Sequence, residues 1–85
     1  MSYRVTFARS ARKELQSLDR QVASRMLDRI RALAEEPRPA GCRKLKGAEE
    51  LWRIRIGDYR VLYSVNDPES WVDVIAVRHR SDAYR

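Results

Sequence analysis

The stretch Leu51-Trp-Arg-Ile-Arg-Ile-Gly-Asp-Tyr-Arg-Val-Leu-Tyr63 decides the fold. Two runs of alternating apolar and polar residues flank Gly57-Asp58, the signature of a β-hairpin with a two-residue loop. That loop pairs Ile56 with Tyr59, Arg55 with Arg60, Ile54 with Val61 and Arg53 with Leu62. The pleat then collects Arg53, Arg55 and Arg60 on one face. Like charges directly opposed across a strand pair are unfavourable, and a sheet needs no arginine at these places, so the face is read as a seat for an anion. The opposite face, made of Trp52, Ile54, Ile56, Tyr59, Val61 and Tyr63, is the more apolar one and is expected to meet the rest of the protein.

Upstream, Tyr3, Val5 and Phe7 alternate with Arg4 and Thr6 as a first strand. From about Ser10, Ala11, Leu15 and Leu18 recur at helical spacing. Asp19 is placed to cap a second helix, carried by Val22, Met26, Leu27, Ile30, Leu33 and Ala34 until Pro37 and Pro39 end the pattern. Residues 38–47 read as a short basic connector, with Leu45 as its core contact and Arg43, Lys44 and Lys46 facing solvent. Asn66 to Ser70 form a turn, Trp71 to Val77 a strand rich in β-branched residues, and Arg78 to Arg85 a charged tail. The order predicts one α+β domain over 1–85: a strand, two helices forming an antiparallel pair, then a three-stranded antiparallel meander. The two helices pack on one face of a four-stranded sheet, because each carries a single apolar stripe.

A net charge of +6 and a sequence pI of about 10.1 favour nucleic acid, acidic protein segments or anionic surfaces as partners, without choosing among them. No signal peptide and no run of about 20 apolar residues is present, so a soluble, cytoplasmic protein is expected. Cys42 has no intrachain partner for a disulfide, and one Cys with one His cannot assemble a usual zinc site. No acidic cluster resembles a magnesium site, so no cofactor is expected.

From Tyr3 to Arg85 the chain resembles the RelE/ParE superfamily of small toxins from bacterial toxin-antitoxin pairs. The resemblance is carried by Leu45-Lys-Gly47, by the hairpin run ending at Tyr63, and by the tail Arg78-His-Arg-Ser-Asp-Ala-Tyr84. The tail favours the RelE branch, whose activity is metal-independent cleavage of messenger RNA in the ribosomal A site. The ParE branch, which poisons DNA gyrase without cutting RNA, is the alternative. The resemblance puts Arg53 and Arg55 where many of these endonucleases carry two lysines. It matches Arg60 and Arg78 to the family's strand arginines, and Tyr84 to a tyrosine that stacks on a substrate base. The implied partners are the ribosome, its message and a cognate antitoxin, which would lay an acidic or amphipathic helix over the basic face in a hetero-oligomer.

The implied reaction is attack of a ribose 2′-hydroxyl on the adjacent phosphate, giving a cyclic phosphate and a 5′-hydroxyl. Arg55, Arg60 and Arg78 suit stabilisation of the phosphorane oxygens. Arginine offers no acceptor, so the general base must come from elsewhere. His79 is the one side chain with an ordinary pKa near neutrality and is a candidate for that assistance; a solvent-exposed or structural histidine is the competing reading, and ribosomal RNA is a third source of proton transfer. Arg53, Lys44, Lys46 and Arg80 are candidates for substrate contact, with simple solubility charge as the alternative for the lysines. Trp52 and Trp71 are read as core rather than as stacking platforms.

Overall fold

The computed structural model describes residues 2–45, 47 and 51–80. Strand β1 (Arg4–Phe7) leads into helices α1 (Arg9–Gln16) and α2 (Arg20–Ala32). These are followed by β2 (Arg43–Lys44), β3 (Leu51–Ile56), β4 (Tyr59–Asn66) and β5 (Trp71–His79). The sheet order is β1-β5-β4-β3-β2, with β1 parallel to β5 and every other pairing antiparallel. The helices thus carry the chain from one sheet edge to the other, and the meander returns it to β1.

The expected α+β order holds, with one correction: the sheet has five strands rather than four. The additional strand lies inside the basic connector, where Arg43 pairs with Arg53 and Lys44 with Trp52. Two residues are too short to show a period, and this strand exists because the outer edge of β3 offers it a partner. The hairpin register follows the expectation: Ile56 faces Tyr59, Arg55 faces Arg60, Ile54 faces Val61 and Arg53 faces Leu62.

Both helices contribute to one core. Ala11 and Leu15 of α1 join Met26 and Ile30 of α2, together with Leu33, against Ile54, Ile56, Val61, Tyr63, Val65, Val72, Val74 and Val77 of the sheet. Each fully buried valine of this set is worth roughly 1.5–3 kcal/mol of hydrophobic free energy. Asp19 caps α2, its carboxylate accepting from the Gln21 N–H at 3.2 Å, and Arg29 and Arg31 in the last turn complement the negative end of the helix dipole. The connector is pinned to the core by Tyr63, which is 0% exposed and donates its hydroxyl to the Pro37 carbonyl at 2.7 Å. Burial pushes the Tyr63 hydroxyl to a higher pKa than usual, so it stays protonated as the donor. Trp52 packs partly buried against the core, as read from the sequence. Trp71 is half-buried beside Asn66 and Arg4 at the far end of the sheet.

One irregularity sets the geometry of everything beyond it. Leu62 pairs with Ala76 but Tyr63 pairs with Val74, so Ile75 is an extra residue in β5. Such a bulge reverses the in-out parity of the strand that carries it. Val72 and Val74 point into the core, and after the bulge the inward position is Val77. The first residue of α1's flank and its second helical residue fasten this point: the Ala8 N–H donates to the Val74 carbonyl at 2.8 Å, and Ser10 Oγ to the Ile75 carbonyl at 3.1 Å.

Candidate functional site

An unbroken alternation from Val72 and Val74 would turn Arg78 toward the core. The bulge turns it outward instead and sets it opposite Arg60, which in turn is opposite Arg55. Three guanidinium-bearing residues therefore stand abreast on β3, β4 and β5, with strands about 4.8 Å apart. Arg55 and Arg78 are exposed and Arg60 half-buried. Arg78 donates from Nη1 to the Val77 carbonyl at 3.2 Å. This row lies beside the hairpin loop on the sheet face away from the helices.

The next row on the same face holds Arg53, opposite Leu62, with Arg43 outboard of it on β2. Further along, the face changes character. Ser64 pairs with Asp73, and the Asp73 carboxylate accepts from Thr6 Oγ1 at 2.9 Å. Positive charge is thus concentrated at the hairpin end.

The loop itself is required by backbone conformation: Gly57 has φ 61°, which a two-residue hairpin turn needs and side chains rarely adopt. Beside it, a cleft of about 150 Å³ is lined by Arg55, Gly57, Asp58, Tyr59, Arg60 and Arg80. The Arg80 N–H donates to the Asp58 carbonyl at 2.6 Å, which holds Arg80 against the loop. The candidate Arg80 is thereby brought to Arg55 and Arg60. Asp58, which went unremarked as a functional group in the sequence, lines the same cleft. The signal for it was present, since a two-residue loop between Arg55 and Arg60 must lie beside that pair.

His79 is not brought to the arginine row. It pairs with Tyr59, on the core-facing side of the hairpin, and the two rings meet edge to face with centroids 5.1 Å apart at 83°. The parity change that turns Arg78 outward turns His79 to the other side. Lys44 shares the position of Trp52 rather than that of the arginines, its Nζ 6.0 Å from the indole centroid. Lys46 and Tyr84 lie outside the described residues. Among the described residues there is no group of three or more His, Cys, Asp or Glu side chains that could hold a metal ion, and no helix is long and apolar enough to cross a membrane.

Comparison with known proteins agrees with this geometry. A family model described as the ParE toxin of type II toxin-antitoxin systems, parDE, matches residues 5–84. A putative RelE-like toxin protein of Escherichia coli is 31% identical over 88 residues, covering 99% of this chain and 92% of the relative. Toxin RelE of Mycobacterium tuberculosis is 31% identical over 84 residues, covering 98% of this chain and 87% of its own length. The crystal structure of the archaeal RelE-RelB complex from Pyrococcus horikoshii superposes with a TM-score of 0.83 and 36% identity, covering 94% of this chain and 97% of that one. With fold, hairpin and arginine row all in place, the chain belongs to the ParE toxin family of type II toxin-antitoxin systems and is a RelE-like toxin.

Proposed function

We propose that this toxin is a metal-independent, ribosome-dependent endoribonuclease that cleaves messenger RNA in the A site and so inhibits translation. The observation that carries the reading is the row Arg55, Arg60, Arg78, which spans three strands by register at the exposed end of the sheet. A phosphorane gains negative charge on its oxygens as it forms, and preorganised guanidinium donors stabilise that charge more than they stabilise the ground state. The ribose 2′-oxygen bonds to phosphorus, the bond from phosphorus to the 5′-oxygen breaks, and the products are a 2′,3′-cyclic phosphate and a 5′-hydroxyl. The 2′-hydroxyl proton goes to an acceptor and the departing 5′-oxygen takes one up. The arginines provide no acceptor. Asp58, which lines the cleft with Arg55, Arg60 and Arg80, is assigned that part through its carboxylate, while His79, across the sheet, packs against Tyr59. Tyr84 stacks on a base and orients the scissile nucleotide, an interaction worth roughly 1–3 kcal/mol. Arg53 and Arg80 contact the substrate backbone, and Lys44 and Lys46 supply an electrostatic fringe.

The toxin is held inactive by a cognate antitoxin that covers the basic face with an acidic or amphipathic helix, as a hetero-oligomer. Support comes from the RelE-RelB complex that this fold matches and from the charge of +6.

The test is to add the toxin without its antitoxin to a bacterial translation extract and map 5′ ends on a defined message, comparing wild type with Arg60→Ala. Codon-phased cuts that need ribosomes, survive EDTA in a short pre-formed complex and disappear in the variant support the reading. Intact message beside trapped, cleaved DNA and a DNA-damage response in cells would replace it with gyrase inhibition. If Asp58→Asn cleaves at the wild-type rate, ribosomal RNA rather than this carboxylate moves the proton.

A further inference from the structure

Next to the arginine row, at the outer edge of the sheet, is a concavity of about 420 Å³ whose walls include Arg29 of α2, Gly41 of the connector, Arg43 of β2, and Arg53, Ile54 and Arg55 of β3. That volume is many times the ~30 Å³ share of one water. Four arginines from three separate elements border it, and no carboxylate among the described residues does. Charge of one sign gathered in a concave site is an arrangement that folding alone disfavours.

Its backbone edge adds one hydrogen-bond donor beside an acceptor. Strand β2 covers only Trp52 and Arg53, so among the described residues the outer edge of β3 from Ile54 to Ile56 has no strand partner. In an antiparallel ladder, residues alternate between bonding their partner strand and facing away from it. The two-residue loop makes Ile56 and Tyr59 a bonded pair, which turns the Arg55 N–H outward to this open edge. Gly41, at φ 92°, lets the connector turn with no Cβ at that point of the wall.

Arg55 belongs to both the row and the concavity. A line from Arg78 through Arg60 to Arg55 crosses β5, β4 and β3 and ends at the concavity, whose wall beyond β3 carries Arg43, one row over beside Arg53, and Arg29. We propose that the concavity is a second phosphate subsite, which binds the next backbone phosphate of the same RNA strand after the one held over Arg55, Arg60 and Arg78. The forked guanidinium groups of Arg29 and Arg43 grip its oxygens. This subsite rests on the endoribonuclease reading for its ligand. It adds Arg29, which lies on a helix and is unconnected in sequence with the hairpin.

The experiment compares wild type with Arg29→Ala/Arg43→Ala, using 2′-deoxy-blocked oligoribonucleotides of two and five nucleotides and recording affinity against salt. Wild type is expected to bind the longer probe more tightly. The double variant should lose about tenfold on the longer probe and little on the shorter, because one charge-assisted phosphate contact is removed. Its salt slope on the longer probe should fall by about 0.7, the value for one phosphate of a single strand. On programmed ribosomes the variant should show a raised KM at unchanged kcat, and its melting temperature should match wild type because both side chains are exposed. Unchanged affinity for the longer probe, or equal loss on both, overturns the subsite. Loss of binding to an acidic antitoxin peptide with RNA binding intact assigns the concavity to the antitoxin and overturns it too. Failure of wild type to cut message on ribosomes would instead overturn the endoribonuclease reading, with the length dependence on the probes still deciding whether a subsite exists.

Discussion

At the far end of the sheet Arg38 sits in the fork of the Asp67 carboxylate, with contacts of 2.9 and 3.2 Å, and lies 5.1 Å over the Trp52 ring, whereas at the hairpin end Arg55, Arg60 and Arg78 stand abreast. The Asp67 carboxylate also accepts from the Tyr3 hydroxyl at 2.7 Å, so one acid ties the β4–β5 turn to the connector and to the N-terminal segment. Where arginine is matched to a carboxylate and an aromatic face, it contributes to the fold. Where arginines are set beside one another across three strands, like charges face each other, and a bound anion of the kind proposed would relieve that repulsion. Substitutions at the two ends should therefore separate cleanly into effects on stability and effects on activity.

The largest separation is expected for Arg60→Ala. Removing one preorganised donor from a charge-developing transition state lowers the rate by about 10²–10³-fold. Because Arg60 is flanked by Arg55 and Arg78, the same change should leave thermal stability level or slightly raised. A marked fall in melting temperature would show that the row is structural and would break the comparison.

Next in size is Tyr63→Phe, a control in the core that both ends share. It leaves the buried Pro37 carbonyl without its donor and should destabilise the protein by about 1–3 kcal/mol, read from chemical denaturation. Cleavage by the fraction that remains folded should keep its wild-type kcat. Ser10→Ala tests the bulge. The hydroxyl that meets the Ile75 carbonyl contributes about 1 kcal/mol at most, so stability should fall slightly. Cleavage should fall severalfold, because Arg78 depends on the reversed parity of β5, and Ser10→Thr should restore it. Equal and proportionate losses in stability and cleavage would show that the bulge has no special hold on the site.

How much of this was legible in the sequence differs with the range of each interaction. The hairpin, its register and the pairing of Arg55 with Arg60 follow from a local alternation around Gly57-Asp58, and the structure reproduces them. Strand β2 was not legible, since two residues carry no period. The placement of Arg78 in the row came only from the family resemblance. Alternation from Val72 through Ala76 argues for the opposite face, and a bulge has no local signature in a run of β-branched residues. In sequence His79 groups with Arg78 because the strand reads as ending at Val77; β5 runs on through His79, and successive strand residues point to opposite sides. Arg29 reads as one more charge on the polar side of a helix until the folded chain brings it to β2 and β3. The Arg38–Asp67 pair spans 29 residues and has no sequence signal at all.

The smallest effect expected distinguishes the ends by pH. The Arg38 guanidinium, and after it the Tyr3 hydroxyl, hold the Asp67 carboxyl below the ordinary aspartate range. A carboxylate depressed in the folded state contributes stability that is fully present above the unfolded value near pH 4, and this stability is lost as pH falls through the folded pKa. Wild type should therefore lose melting temperature as pH falls below about 4, and Asp67→Asn should show a flatter acid limb and a slightly lower melting temperature at pH 7. Arg38→Ala removes the same stabilisation together with a cation–π contact of roughly 0.5–1 kcal/mol, so it should lower the neutral-pH melting temperature more than Asp67→Asn does. Arg60 pairs with Arg55 and Arg78 at the hairpin end, away from the Arg38–Asp67 pair, so Arg60→Ala should leave the part of the acid limb that Asp67→Asn removes where wild type has it. An acid limb that moves with Arg60 rather than with Asp67 would mean that the two ends are coupled through the sheet, and the division between folding arginine and binding arginine would fail.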